Sequence, residues 1–238
     1  MAECDYSIVI PVYNEQDNII PLQQNISAAM DKISDSYEVI LVDDGSSDGS
    51  REKIEHICSR DSRFRFLFFD KNYGQSSALA AGFEESKGDV IITMDADLQV
   101  DAGDIPLLLQ QLDSFDVVSG FREKRADSLS KRISSKIANC TRNTLTGERI
   151  KDTGCPLKVF KKEVIKNMFF FDGMHRFFPT LIKLQGYTIT EVPIRHYKRK
   201  HGSSKYNIRG RLFRTFCDLF GIRWLKKRYL RCRIISKK

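Results

Sequence analysis

The stretch that decides the fold is YEVILVDDGSSDGS, at positions 37–50. Residues 37–42 form a short, mostly apolar run rich in β-branched side chains, which is typical of a buried strand. The next eight residues, 43–50, combine three carboxylates with glycine and serine. A buried strand that runs directly into an acidic turn is typical of the ligand-binding edge of a parallel sheet.

Calcium binding is one explanation of the acidic turn. Asp44, Ser46, Asp48, Gly49 and Glu55 match the residue types at positions 1, 3, 5, 6 and 12 of an EF-hand loop. A strand precedes the turn, however, where an EF-hand needs a helix. The preceding strand therefore argues against a calcium-binding EF-hand.

Helix capping is a second explanation. Ser47 or Asp48 at the start of the following helix would satisfy its first backbone N–H groups, and the glycines would make the turn. Capping accounts for the second half of the stretch. It leaves Asp43 and Asp44, at the mouth of the strand, without a role.

Strand and helix patterns alternate along the first 120 residues, and this stretch begins with the second of five predicted strands. The predicted strands are 6–12, 37–42, 64–69, 89–94 and 116–120, and the predicted helices are 19–33, 50–60, 75–86 and 106–112. This alternation predicts an α/β fold with a mostly parallel sheet and helices on both faces. The polar segments that follow the strands should meet at one edge of the sheet.

The pattern loosens beyond residue 122. Residues 129–145 look helical and basic, residues 168–186 are aromatic-rich and helical in their second half, and residues 187–197 alternate like a strand. We therefore expect an internal boundary near residue 120, inside one domain.

Two aspartates directly follow the fourth predicted strand, in MDADLQ at 94–99. Asp95 and Asp97 are two residues apart, so in an extended chain both side chains leave the same face and can reach one ion. Oxygen ligands of this kind suit Mg²⁺ or Mn²⁺, completed by phosphate oxygens and water. The alternative is an acid pair that caps the helix near Asp104.

Positive charge is concentrated at the C-terminal end of the chain. Residues 195–238 contain 16 of the 39 lysines and arginines and a single acid, Asp218. Aromatic residues recur there at helical spacing, which predicts a basic amphipathic helix on a membrane surface. Packing of the aromatic stripe on the body of the protein is the alternative. The stripe consists of Phe213, Phe216, Phe220 and Trp224.

Other features bear on the protein's setting. The six cysteines are scattered without a CxxC pair, which indicates reduced thiols in a cytosolic setting. The first residues have acids and a proline where a secretory signal needs a basic end and an apolar run. No apolar stretch approaches the roughly 20 residues of a spanning helix. We therefore expect a peripheral protein at the cytoplasmic face of a membrane, without a transmembrane helix.

Several motifs, in this order and spacing, resemble family 2 glycosyltransferases of GT-A fold. They are IVIPVYNE (8–15), VILVDDGSSDGS (39–50), the segment from Asn72 to Gln99, and SGFR (119–122). Three later motifs resemble the branch that includes dolichyl-phosphate mannose synthase, which moves a hexose from a nucleotide to a polyprenyl phosphate. These are DTGCPLKVFKKEV (152–164), GMHRFFPTLIKLQGY (173–187) and EVPIRHYKRKHGSSKY (191–206).

The resemblance implies roles for individual residues. Asp97 and Gln99 would hold a Mg²⁺ or Mn²⁺ ion, and Asp95 would lie at the sugar diphosphate. The remaining nucleotide-sugar contacts implied by the family are Pro11, Tyr13, Glu15, Val42, Asp44 and Ala96.

A polyprenyl phosphate is already anionic near neutral pH, so its transfer reaction needs positive charge rather than a base. The acceptor-phosphate candidates implied by the resemblance are Arg122, Lys131, Ser135, Arg199 and Lys205. At Lys131 the family often has arginine, and a lysine at this position would lose the bidentate contact that arginine makes with a phosphate. Asp152 would orient a cation or act as a base, and His175 would face the sugar or pack in the core.

The sequence thus predicts a GT-A domain at 1–206, with a nucleotide-sugar half (1–120) and an acceptor half (121–206), and a basic amphipathic tail at 207–238. The expected activity is that of an inverting, metal-dependent hexosyltransferase similar to dolichyl-phosphate mannosyltransferase. GDP-mannose or UDP-glucose would be the donor, polyprenyl phosphate the acceptor and an anionic membrane surface a partner. The alternatives are transfer to a glycan or protein hydroxyl, and a nucleic-acid-binding protein, although the tail lacks a known reader fold.

Overall fold

The structure, a computed structural model, describes residues 4–123, 143, 147, 150–199 and 208–229. Within the last of these ranges, side chains are described from Cys217 onward. The helix predicted at 129–145 lies outside the described residues, apart from Asn143.

The described chain builds a seven-stranded sheet in the order β3-β2-β1-β4-β6-β5-β7. Neighbouring strands are parallel except that β6 runs antiparallel to both β4 and β5. The strands are β1 (Tyr6–Val12), β2 (Tyr37–Asp43), β3 (Phe64–Phe68), β4 (Val90–Thr93), β5 (Val117–Arg122), β6 (Lys158–Lys161) and β7 (Ile189–Ile194).

The helices connect the strands and cover the sheet. They are α1 (Ile19–Met30), α2 (Ser50–Cys58), α3 (Gln75–Glu84), α4 (Ile105–Leu109), α5 (Lys162–Lys166), α6 (Phe178–Leu184) and α7 (Ile208–Arg228). Short 3₁₀ turns at Ala102–Asp104 and Met174–Arg176 precede α4 and α6.

The sheet has a core on each face. In β1, Ile8 and Ile10 belong to one buried cluster with α1, α2 and α4, whereas Val9 belongs to a second cluster with α3, α5, α6 and α7. This alternation follows from the pleat, which points successive side chains to opposite faces. The predicted α/β fold, with helices on both faces of a mostly parallel sheet, is confirmed.

The central strand β6 is absent from the sequence prediction. Its four residues read KVFK, and the first, Lys158, is fully buried, with its ammonium donating a hydrogen bond to the Cys155 carbonyl. Burial lowers the pKa of this ammonium below its ordinary value. A strand this short that begins with a buried lysine lacks the hydrophobic pattern on which strand prediction depends.

Candidate active site

A cleft of about 360 Å³ opens where the carboxyl ends of β1, β2 and β4 meet. Parallel neighbours bring the loops after these strands to the same edge, as expected for an α/β sheet. The lining residues are Pro11, Val12, Tyr13, Glu15, Asp44, Asn72, Gly74, Gln75, Asp95, Ala96, Asp97 and Arg199.

Asp44 organises one wall of the cleft. Its carboxylate accepts hydrogen bonds from the backbone N–H groups of Tyr73 (2.6 Å) and Gly74 (2.9 Å) and from the Asn72 amide (2.9 Å). Burial raises the pKa of Asp44, and the two backbone N–H groups oppose that shift. Asp44 therefore ties the loop before α3 to the end of β2.

The neighbouring acids in the turn have structural partners. Asp43, fully buried, accepts hydrogen bonds from Ser46 N and from Arg51 Nε at 2.8 Å. Asp48 accepts one from Ser50 N, the first residue of α2. Because these carboxylates face N–H donors, the EF-hand interpretation is not supported. The N-cap of α2 is Gly49, which has no capping side chain, so Ser47 and Asp48 are not its N-cap, although Asp48 accepts a hydrogen bond from the N–H of the first helical residue.

Gly45 is required by a close backbone approach within this turn. Its φ is +73°, and a Cβ there would lie 2.3 Å from the Lys71 carbonyl carbon. Only glycine fits this combination of left-handed conformation and contact. The turn therefore packs tightly against the segment that Asp44 anchors.

Asp95 and Asp97 lie together at the end of β4. Gln75, at the start of α3, donates a hydrogen bond to Asp95 Oδ1 (2.8 Å), and Arg199 donates one to Asp97 Oδ2 (2.7 Å). Arg199 also lies 3.9 Å from the Glu15 carboxylate. The acidic cleft thus contains the guanidinium group of Arg199, which lies 102 residues after Asp97 in the chain.

The backbone between these aspartates and Gln99 is strained. Leu98 has φ +57°, a conformation that costs a side-chain-bearing residue roughly 1–2 kcal/mol. The resulting turn lets Gln99 N donate to Asp97 Oδ1 (3.1 Å). Strain of this kind persists where the surrounding structure holds it, as at functional sites.

The electrostatic environment of Asp95 and Asp97 favours a bound cation. Burial and the neighbouring Asp97 charge raise the pKa of Asp95, while Lys158, Arg122 and Arg199 oppose that shift. A divalent ion would act in the same direction as these cations by stabilising the ionised carboxylates. Among the described residues there is no group of three metal-binding side chains of the His, Cys, Asp or Glu type. Two carboxylates are nonetheless enough for Mg²⁺, which keeps waters and substrate phosphates as further ligands.

Arg122 and Asp152 form a buried, bidentate ion pair next to this cluster. Asp152 accepts hydrogen bonds from Arg122 Nε (2.7 Å) and Nη2 (2.9 Å), and a further one from the Arg122 backbone N–H. Glu191 in turn accepts a hydrogen bond from Asp152 N (3.0 Å). The Asp152 carboxylate thus holds a guanidinium in a fixed orientation.

Sequence comparison assigns the chain to a family. The profile described as Glycosyl transferase family 2 matches residues 7–169, which is more than half of the chain. The chain belongs to this family. The matched segment includes all the cleft-lining residues of this glycosyltransferase family member except Arg199.

Curated relatives of this family 2 member are named undecaprenyl-phosphate 4-deoxy-4-formamido-L-arabinose transferase. The protein of that name from Edwardsiella ictaluri is 41% identical over 85% of this chain and 63% of its own length. The one from Pseudomonas fluorescens is 41% identical over 84% of this chain and 60% of its own length. The chain therefore spans less than two thirds of these relatives.

Solved structures of glucosyl-3-phosphoglycerate synthase from Mycobacterium tuberculosis share the fold. The complex with Mn²⁺ and UDP-glucose has a TM-score of 0.69 at 19% identity, covering 92% of this chain and 79% of that chain. The complex with Mn²⁺, UDP and phosphoglyceric acid has a TM-score of 0.71 at 17% identity, covering 96% and 80%.

The structure places the predicted site residues of this glycosyltransferase family member in three groups. Those in the cleft are Pro11, Tyr13, Glu15, Asp44, Asp95, Ala96, Asp97 and Arg199. Those that do not line it are Val42, Gln99, Arg122 and Asp152; Val42 is fully buried, and Gln99 N and O bond to Asp97 and to Tyr197 N. Lys131, Ser135 and Lys205 lie outside the described residues.

His175 also lies away from the cleft lining. Its Nδ1 is 2.8 Å from the hydroxyl oxygen of Ser76, in the first turn of α3. Ser76 is buried and also accepts a hydrogen bond from Gly173 N. This arrangement supports the packed alternative for His175, as a link between α3 and the Met174–Arg176 turn.

Sequence reasoning missed four residues of the cleft: Val12, at the end of β1, and Asn72, Gly74 and Gln75, in and after the loop before α3. The last three reach the cleft because Asn72 and Gly74 donate hydrogen bonds to the Asp44 carboxylate at the end of β2. The available signal was Gly74, which has φ +95° and directly precedes α3. A glycine that opens a helix after a strand marks a loop at the carboxyl edge of the sheet.

Proposed function

We propose that this protein transfers a sugar from a nucleotide-sugar to a polyprenyl phosphate at a membrane surface. One observation carries the proposal: a cleft at the sheet edge combines two aspartates with an arginine delivered by the segment after β7. The names of the curated relatives support the same reaction class. In this proposal residues 1–120 bind the donor, residues 121–206 bind the acceptor and residues 207–238 attach to the membrane.

The donor sugar is proposed from the same relatives. Their names specify 4-deoxy-4-formamido-L-arabinose, a substituted pentose, whereas the sequence motifs alone suggested mannose or glucose. We therefore place a nucleotide-linked 4-deoxy-4-formamido-L-arabinose first, and GDP-mannose and UDP-glucose second. The cleft residues Pro11, Tyr13, Glu15 and Asp44 are the proposed contacts of the nucleotide.

A divalent cation fits the carboxylates of the cleft. Asp97 would hold it, with Gln99 nearby and Asp95 directed to the sugar diphosphate. Mg²⁺ or Mn²⁺ bound there would neutralise charge on the departing diphosphate. The structural neighbours that contain Mn²⁺ support this choice of ion.

Arg199 has a role that follows from its present partner. Its guanidinium donates a hydrogen bond to Asp97, the carboxylate that is proposed to hold the cation. Arg199 and Arg122 would bind the acceptor phosphate, Arg199 from a position next to the carboxylate that would hold the cation. Lys131, Ser135 and Lys205 complete the proposed acceptor set. An acceptor that is already anionic needs no general base, and Asp152 is proposed to orient Arg122 instead.

The direct test is transfer of radiolabel into a lipid-extractable product. The protein should be incubated with each labelled nucleotide-sugar, Mg²⁺ or Mn²⁺, and undecaprenyl or dolichyl phosphate. We expect label in the organic phase with one donor and its loss on addition of EDTA. Label transferred instead to a sugar or peptide hydroxyl would contradict the proposed acceptor and favour the alternative glycan or protein acceptor.

The C-terminal helix α7 supports the proposed membrane attachment. Leu219 and Ile222 are buried against the body, whereas Phe220 (54% exposed) and Trp224 (60% exposed) face outward with Arg223 and Arg228. At these two positions the aromatic stripe therefore does not pack on the body. Phe213 and Phe216 lie among the side chains that the structure does not describe. Across the described residues, no helix combines the length and hydropathy needed to span a membrane.

Trp224 is the single tryptophan of the chain, so its fluorescence reports on this helix alone. We expect its emission to shift to the blue when vesicles containing phosphatidylglycerol are added, because an exposed indole would enter the membrane interface. High salt should weaken the response, since part of the attraction is electrostatic. An unchanged spectrum at saturating lipid would contradict attachment through α7.

A further inference from the structure

A second exposed aromatic element lies outside the C-terminal helix. Residues 169–171, here called the phenylalanine loop, follow α5 and read Phe-Phe-Phe. Phe169 is 64% exposed and Phe170 is 41% exposed, whereas the flanking Met168 is buried. Phe169 is the most exposed large hydrophobic side chain among the described residues. The proposed transfer reaction gives these two rings no role.

The phenylalanine loop is firmly held. Met168 and Phe171 pack in the same buried cluster that contains Leu219 and Ile222 of α7. The ring of Phe171 stacks on Phe177, with centroids 6.4 Å apart. The chain then turns at Gly173, whose φ of +88° favours glycine. The exposed rings are therefore presented by an anchored turn.

The phenylalanine loop and α7 are neighbours. A Cβ at Gly173 would lie 3.1 Å from the Asp218 carboxylate of α7. Leu219, the next residue of α7, and Ile222, one turn after Asp218, contribute to the cluster that supports the loop. The outward face of α7 adds exposed Trp224 and cations at Arg223, Lys227 and Arg228.

We propose that the phenylalanine loop inserts into an anionic lipid bilayer beside α7, so that the protein contacts the membrane through two separate elements. Exposed aromatics flanked by arginine and lysine match the interfacial region of a bilayer with negatively charged headgroups. The adjacent basic side chains supply the charge complementarity. This inference rests on the proposed function only for its biological purpose. Binding to a bilayer can be measured without an assay of sugar transfer.

The placement of the loop would bring the cleft to the membrane. Gly173 N, two residues after the loop, donates a hydrogen bond to Ser76 Oγ (3.0 Å) in the first turn of α3. The residue before Ser76 is Gln75, which lines the cleft and bonds to Asp95. Insertion of the loop therefore positions one wall of the cleft near the bilayer surface, where a lipid phosphate is presented.

The test is vesicle binding by the full chain carrying Phe169→Ser and Phe170→Ser. Binding is titrated through the Trp224 emission shift and by co-sedimentation, with vesicles of phosphatidylcholine alone or mixed with phosphatidylglycerol. We expect the double variant to need about tenfold more lipid for half-saturation, because two partly inserted rings are lost. Transfer to a short-chain, water-soluble polyprenyl phosphate should be unchanged, which separates this inference from the proposed reaction.

Phe66→Ser is the matched control. Phe66 is 42% exposed and lies on the edge strand β3, where it stacks on Phe68. We expect this variant to bind vesicles like the unmodified chain. Equal lipid binding by the double variant and the control would overturn the inference. So would a change of oligomeric state in the double variant without a change in lipid binding, because the loop would then be covering a second copy.

Discussion

Replacing Asp97 by asparagine should reduce kcat/KM for sugar transfer by about a thousandfold. The change removes the charge that is proposed to hold the divalent cation, in a side chain that is nearly isosteric. It also deprives Arg199 of its 2.7 Å partner, so both the donor and the acceptor side of the cleft are affected. The measurement is steady-state transfer with saturating Mn²⁺, together with calorimetric titration of the nucleotide in the presence and absence of Mn²⁺.

Asp101→Asn provides the matched control for this variant. Asp101 lies four residues further along, where it caps the Ala102–Asp104 turn and lies 3.3 Å from Arg195. Its loss should lower stability slightly and leave transfer within a few fold of the unmodified protein. Activity of Asp97→Asn within threefold of the control, with unaltered Mn²⁺ dependence, would contradict the proposed cation site.

Replacing Asp152 by asparagine should destabilise the protein strongly. The Asp152 carboxylate is almost fully buried, and the paired Arg122 guanidinium is largely buried, so loss of the carboxylate charge breaks a buried bidentate pair. Breaking a buried pair in this way costs about 3–5 kcal/mol of the free energy of unfolding. For a chain of this size the melting temperature should fall by roughly 6–20 °C. Thermal denaturation followed by circular dichroism measures the shift.

The double variant Arg122→Leu/Asp152→Leu separates structure from chemistry. Removing both charges should restore most of the lost stability, because no unpaired charge remains buried. Transfer should stay low, since the proposed phosphate-binding guanidinium is absent. Arg122→Lys should retain the charge but lose the bidentate contact, giving intermediate activity.

The same variants distinguish the two roles considered for Asp152. If Asp152 were a general base for a hydroxyl acceptor, Asp152→Asn would abolish turnover of the folded protein and leave the affinity for the donor intact, and transfer to a polyprenyl phosphate would not depend on it. A positioning role predicts that stability and rate fall together. The three contacts that Asp152 receives from Arg122 favour the positioning role.

Much of the cleft was predictable because its chemistry is local in the sequence. The strand patterns at 6–12, 37–42 and 89–94 match β1, β2 and β4 to within one residue at each end. The acidic residues stand directly after these strands, and parallel pairing alone brings their loops together. Alternation of strand and helix therefore predicted that the polar segments after these strands would meet at one edge, and the family resemblance added Glu15 and Asp44 as nucleotide contacts.

Other features depended on contacts between distant segments. The strand β6 enters the sheet antiparallel between β4 and β5, a position set by pairing with Val90–Thr93 rather than by its own four residues. The Asp97–Arg199 contact joins residues 102 positions apart, and the Arg122–Asp152 pair joins residues 30 apart. Their formation depends on which surfaces the packed sheet brings together.

The sequence by itself thus determined the fold class, the edge of the sheet that carries the site, and the carboxylates that define it. Hydrophobic period and turn residues are sufficient for these because each acts over a few neighbouring residues. Only the tertiary structure decided which basic side chain pairs with which carboxylate, that Gln75 reaches Asp95, and that Phe169 stays mostly exposed while Phe170 packs partly against Phe83. These outcomes depend on burial and on long-range pairing, which a linear pattern does not encode.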